Sequence, residues 1–156
     1  MGVAALVLRN TGKESVSYGQ VTVETEEGSL QFEFTALPPG AKLLVPEKNR
    51  SPYRGGAVCS ARCEKLVMTQ MSMEEDKIRV AANGMAGIVL ENITDRTLER
   101  VYLRYKPYLS QEEVYIGGVT YRMEVGSLLP GQPVEIIPER FVWGYSAIVE
   151  ICIGEE

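Results

Sequence analysis

Apolar and polar residues alternate in short runs along almost the whole chain. Val21-Thr22-Val23, Leu30-Gln31-Phe32-Glu33-Phe34, Ile78-Arg79-Val80, Val101-Tyr102-Leu103-Arg104-Tyr105, Val119-Thr120-Tyr121-Arg122-Met123-Glu124-Val125 and Val134-Glu135-Ile136 all follow a period of two. That spacing belongs to strands with one face buried and the other wet. Turn formers separate the runs: Thr11-Gly12, Glu27-Gly28, Pro38-Pro39-Gly40, Asn83-Gly84, Gly117-Gly118 and Pro130-Gly131,. Asn83-Gly84 is the strongest hairpin signal, because that dipeptide suits the left-handed turn that matches strand twist. Only Ser72–Lys77 hints at a helix, and it reads equally well as a charged loop.

The pattern occurs twice. Ala4-Ala5-Leu6-Val7-Leu8-Arg9-Asn10 and Ala86-Gly87-Ile88-Val89-Leu90-Glu91-Asn92 share an apolar strand, a charge and a terminal asparagine, 82 positions apart (92 − 10). Val16–Val23 then lies against Leu98–Tyr105, and Leu37-Pro38-Pro39-Gly40 against Leu128-Leu129-Pro130-Gly131. The second interval is 91 (131 − 40), so an insertion falls in the second copy around Lys106–Gly117. Each copy closes with an apolar strand, a glycine-containing loop and a last strand. Short strands at this spacing predict an all-β fold of two tandem immunoglobulin-like β-sandwich domains. The expected domains are residues 1–70 and 76–156, joined near residues 68–77. Cys59–Met73 is expected to carry the end of the first domain and the crossing. The second copy has a strand, Ile78–Ala82, ahead of its repeat, where the first has only Met1-Gly2-Val3. The chain is therefore expected to be a piece of a longer protein, its first repeat lacking an upstream strand. An export signal or anchor would sit upstream.

Composition narrows the function classes. With 16 Lys and Arg against 21 Asp and Glu, the net charge is −5 and the cations are scattered. Nucleic-acid binding needs clustered cations, so no nucleic-acid partner is expected. No apolar stretch approaches the roughly 20 residues of a membrane helix, so membrane contact is expected only through an anchor outside this chain. There is no histidine, which removes the commonest general base and metal ligand. Cys59 and Cys63 lie about 13 Å apart if extended, too far to bridge, and could pair only in a loop. Zinc needs four ligands, and no second Cys/His pair exists. No metal, no cofactor and no catalytic residue is therefore assigned.

Several motifs carry two readings. Asn10 and Asn92 end equivalent strands and read as turn chemistry; Asn92-Ile93-Thr94 is also formally a glycosylation sequon. Glu74-Glu75-Asp76 offers oxygen ligands but lacks a calcium-loop pattern. Glu112 and Glu113, with Glu24, Glu26 and Glu27, are the residues from which a carboxylate-dependent hydrolase would be built. Arg50–Arg54 sets two cations beside Tyr53 and could hold an acidic partner. The insertion and the later stretch Phe141–Tyr145 of the same repeat concentrate aromatic residues, and Tyr108, Tyr115, Phe141, Trp143 and Tyr145 form the candidate binding surface,.

Ala5–Gly12, Leu37–Arg50 and Val114–Arg122 resemble uncharacterised envelope proteins of Gram-positive gut bacteria. These carry an N-terminal signal or membrane-spanning segment followed by two β-sandwich-like repeats. More loosely, the strands resemble immunoglobulin-like and fibronectin-like modules of cell envelopes. The resemblance implies an extracytoplasmic, non-enzymatic role and transfers no catalytic residue. The expected function is thus a binding or spacer module of an envelope-anchored protein, with a protein or carbohydrate partner. The alternatives are a structural subunit completed by a partner's strand, or a carboxylate-dependent hydrolase.

Overall fold

The computed structural model describes residues 2–53 and 55–154. Arg54, the second cation of the Arg50–Arg54 loop, lies outside them, as does Met1. The described residues are all-β. In order the strands are β1 (Ala5–Arg9), β2 (Ser15–Thr25), β3 (Gly28–Leu37), β4 (Lys42–Pro46), β5 (Val58–Thr69), β6 (Ile78–Asn83), β7 (Gly87–Asn92), β8 (Leu98–Leu109), β9 (Val114–Ile116), β10 (Tyr121–Leu128), β11 (Val134–Ile136) and β12 (Ser146–Ile153). Ser72–Lys77 forms a turn and no helix. Lys77 N and Ile78 N both donate to Glu74 O, and the run ends there. The Asn83-Gly84 hairpin forms between β6 and β7. Asn83 still pairs with Gly87, so Gly84–Ala86 make a three-residue loop that Gly84 opens at φ +74°,.

The backbone divides into two compact units, Met1–Gln70 with Glu112–Val119, and Met71–Gln111 with Thr120–Glu156. In the first unit β2 runs antiparallel between β3 and β5. β1 pairs antiparallel with β4, and β9 pairs parallel with the other side of β4. Residues 112–119 belong to the second repeat by sequence and to the first unit by structure. Backbone bonds hold them there: Gly117 N donates to Leu44 O at 2.8 Å, and Thr35 N donates to Gly118 O at 3.0 Å. In the second unit β7 lies between β6 and β11, and β8 between β10 and β12. Its core is Ile78, Ile88, Leu90 and Ile136 on one side and Val101, Leu103, Leu128 and Ile151 on the other, with Tyr105 and Phe141. This face-to-face packing is what the period-two pattern requires.

The repeated asparagine is the hub of each unit. Asn10 Nδ2 donates to Glu14 O and Leu37 O, while its Oδ1 accepts from Gly12 N. Asn92 Nδ2 donates to Arg96 O and Leu128 O, while its Oδ1 accepts from Thr94 N. Gly40 N donates to Asn10 O, and Gly131 N to Asn92 O. The asparagine thus closes its own turn and staples it to the Pro-Gly turn 27 to 36 residues later. Asn92 is wholly buried, and both hydrogens of its amide nitrogen are donated, so the folded sequon has no nitrogen to offer.

Glu47, just after β4, is buried and accepts from Gln31 N, Asn49 N and Ser51 N at 2.7–3.1 Å. Burial alone raises a carboxyl pKa, but here the backbone hydrogen bonds win and hold it below the ordinary 4.5,. Glu47 therefore contributes stability that is present above the unfolded value and lost as pH falls through the folded one. Glu47→Gln turns an amide NH2 toward backbone N–H groups and is expected to cost about 2 kcal/mol near neutral pH. Urea melts followed downward from about pH 5 should lose part of their acid slope in the variant. An unchanged slope would remove Glu47 as an acid-sensitive staple.

Candidate functional site

Glu24, Glu26, Glu27, Glu112 and Glu113 all fall in the first unit, and none of them is buried. Glu24 accepts from Ser29 Oγ at 2.6 Å and lies 3.5 Å from Arg62. Glu112 and Glu113 are exposed, and so are Glu26 and Glu27. Glu27 lines an open depression with Thr25, Ser29, Ser51 and Tyr53, and no second carboxylate lines it. No group of three or more His, Cys, Asp or Glu side chains able to hold a metal ion occurs among the described residues. No helix among them is long and apolar enough to cross a membrane.

The five aromatic candidates separate. Tyr115 lies on β9 in the first unit and is nearly buried; it faces Leu43 of β4 across the parallel pair. Phe141 is core: its ring meets Trp143 edge-on at 4.9 Å and Tyr105 edge-on at 5.6 Å. Neither can present a surface without unfolding around it. Trp143 is half-buried, its Nε1 donating to Gly87 O at 2.7 Å. Tyr108 and Trp143 line one open apolar depression with Met73, Val80 and Ile148. Tyr145 is exposed. What remains of the predicted surface is this depression and Tyr145, all in the second unit.

Two buried groups escaped the sequence reading. Lys106 is wholly buried, and burial, followed by the charge of Arg104, pushes its ammonium down to about 8,. Cys152 is half-buried, and burial pushes its thiol up to about 11. Cys59 and Cys63 are exposed on the extended β5, and all three cysteines are free. Lys106 breaks the alternation of β8, following buried Tyr105 directly, and the Lys-Pro-Tyr that it opens reads locally as a loop.

The largest departure from a finished fold is in the first unit. β5 is exposed at eleven of its twelve positions. Its pairing with β2 sets Cys63 opposite Val21, Leu66 opposite Gly19 and Met68 opposite Val16. Directly opposed residues share a face. Val16 and Val21 are core, and the Phe34 ring fills the space over Gly19. Cys63, Leu66 and Met68 therefore extend the core face, yet Leu66 is 48% and Met68 40% exposed. The equivalent face of β12 carries Ile151, opposite Leu103 of β8, at 1% exposure. Comparison with protein-family models, curated proteins and solved structures finds no match.

Proposed function

We propose that this chain is a non-catalytic binding module made of two immunoglobulin-like sandwich units, presented outside the cytoplasm by an envelope-anchored protein. Its contact surface is the uncovered face of β5. One observation carries the reading: a twelve-residue strand whose core-side residues stand in water. Fully burying a side chain such as Leu66 or Met68 is worth roughly 1.5–3 kcal/mol, so a partner covering this face gains what the isolated unit forgoes. A long edge strand with an exposed apolar face is also an aggregation hazard unless something covers it,. The envelope location rests on the resemblance of Ala5–Gly12, Leu37–Arg50 and Val114–Arg122. The aromatic depression of the second unit offers less, because Trp143 is already engaged with Phe141 and Gly87.

The test uses thiols already in place. Cys59 and Cys63 on purified protein should react readily with a maleimide, while Cys152, half-buried with a raised pKa, reacts slowly,. In permeabilised host cells Cys63 should react at least about tenfold more slowly than on the purified protein, because the partner covers it. Equal rates would leave β5 uncovered in the cell and sink the binding role. Protease shaving of intact cells checks the location. Survival of this region until lysis would place it inside and remove the envelope part of the reading.

A further inference from the structure

β1 and β7 are equivalent by sequence, and so are β4 and β11, each following its Pro-Gly turn. β7 is paired on both sides, by β6 and β11. β1 is paired only by β4 among the described residues. Glu47 N donates to Ala4 O, and Asn10 N donates to Ala41 O. Even-numbered residues of β1 therefore turn their backbone groups toward β4, and Ala5, Val7 and Arg9 turn theirs to the free edge. The corresponding residues of β7, Gly87, Val89 and Glu91, lie opposite Asn83, Ala81 and Arg79 of β6.

The side chains show the same vacancy. Ile88 and Leu90 of β7 are fully buried, while their equivalents Leu6 and Leu8 are only half-buried. In the second unit Ile78 of β6 shares the core with Ile151 of β12, and Val80 packs against it alongside Ile148. In the first unit no strand among the described residues does this for Cys63, Leu66 and Met68. A single strand docked on β1 would cover both the open edge of β1 and the bare face of β5.

Charge selects the occupant. Across β6 and β7, Arg79 meets Glu91 at 2.6 Å. The equivalent of Glu91 is Arg9, which is exposed. A strand docked on β1 in the register of β6 must set a carboxylate where β6 has arginine. The β6 of a second copy sets Arg79 against Arg9 and is repelled. We infer that β1 of the first unit is an acceptor edge for an antiparallel strand from a partner protein, reading apolar, acidic, apolar, any residue, small apolar, with the acidic residue facing Arg9. This rests on the proposed binding role and names the chemistry of the partner.

The probe is the peptide Lys-Ile-Glu-Val-Ala-Ala-Asn, the β6 sequence with glutamate for Arg79. Added at millimolar concentration to the full chain, it should protect the amides of Val7 and Arg9 from exchange and slow alkylation of Cys63. The peptide with the native arginine should bind about fivefold more weakly, since opposed charges directly across strands attract and like charges repel. Arg9→Glu should reverse that preference. Joined ahead of Ala4 through Gly-Met, as Gly84-Met85 joins β6 to Ala86, the same segments act at an effective concentration in the millimolar range. No protection in the joined form, or protection indifferent to both charge changes, overturns the inference. Dimerisation of the chain alone that protects Val7 and Arg9 assigns the edge to a second copy instead. Protection already present in the native-length protein assigns it to that protein's own sequence. If Cys63 is shielded in cells but the joined strand does not dock, the binding role stands and only its strand-addition form falls.

Discussion

Asn92→Ala lowers the stability of the chain by about 3 kcal/mol, the order expected when one side chain in a buried site loses two donated bonds and two accepted ones,. For a chain of this length that corresponds to a fall in melting temperature of about 10 °C. The effect is large because Asn92 has no exposed surface. Water cannot replace the amide at Leu128 O, which loses its buried side-chain donor,. Asn92→Asp separates this account from a simpler one. If asparagine served only to shape the turn, aspartate would be tolerated, since both residues form such turns. The geometry requires a donor, and aspartate points a carboxylate at two carbonyl oxygens. Aspartate is therefore expected to be at least as damaging as alanine. A melt of Asn92→Asp near wild type would refute the staple.

Gly118→Val undocks residues 112–119 from the first unit and costs about 3 kcal/mol, in the upper range for overpacking against a close contact. A Cβ at Gly118 lies 2.4 Å from Glu33 O, a backbone atom that cannot rotate away. Gly118 O also accepts from Thr35 N and Thr35 Oγ1. The segment is held mainly through main-chain bonds, so a small backbone shift breaks several at once. Gly118→Ala already carries the offending atom and should show much of the loss. Hydrogen exchange at Gly117, whose amide donates to Leu44 O, should accelerate in both variants, and proteases should cut within 112–119. Wild-type exchange at Gly117 in Gly118→Ala would mean that the close approach is not a constraint.

Much of the fold was legible because its signals are local. Period-two alternation places Phe32 and Phe34, or Leu103 and Tyr105, on one face whatever the strand pairs with. The asparagine at the end of each repeat strand announces a turn by its own hydrogen-bonding capacity. The candidate site was less legible. Tyr108, Tyr115, Phe141, Trp143 and Tyr145 share a composition but not a fate: Phe141 fills a core, Tyr115 sits in the other unit, and Tyr145 is left in solvent. Nothing in an aromatic residue's neighbours along the chain says which sheet will cover it. Lys106 and Glu47 look like surface charges in sequence, and their burial depends on strands far away.

The amino-acid sequence by itself determined the strands, the twofold repeat and the asparagine-centred turns, since each is decided within a few residues by backbone preference and side-chain period. Only the tertiary structure decided that residues 112–119 complete the first unit on the far side of β4, and that β1 and the core side of β5 stay uncovered. Those outcomes turn on which edges pair and which faces are shielded from water. Both are set by contacts between segments distant in the chain, and no local pattern encodes them.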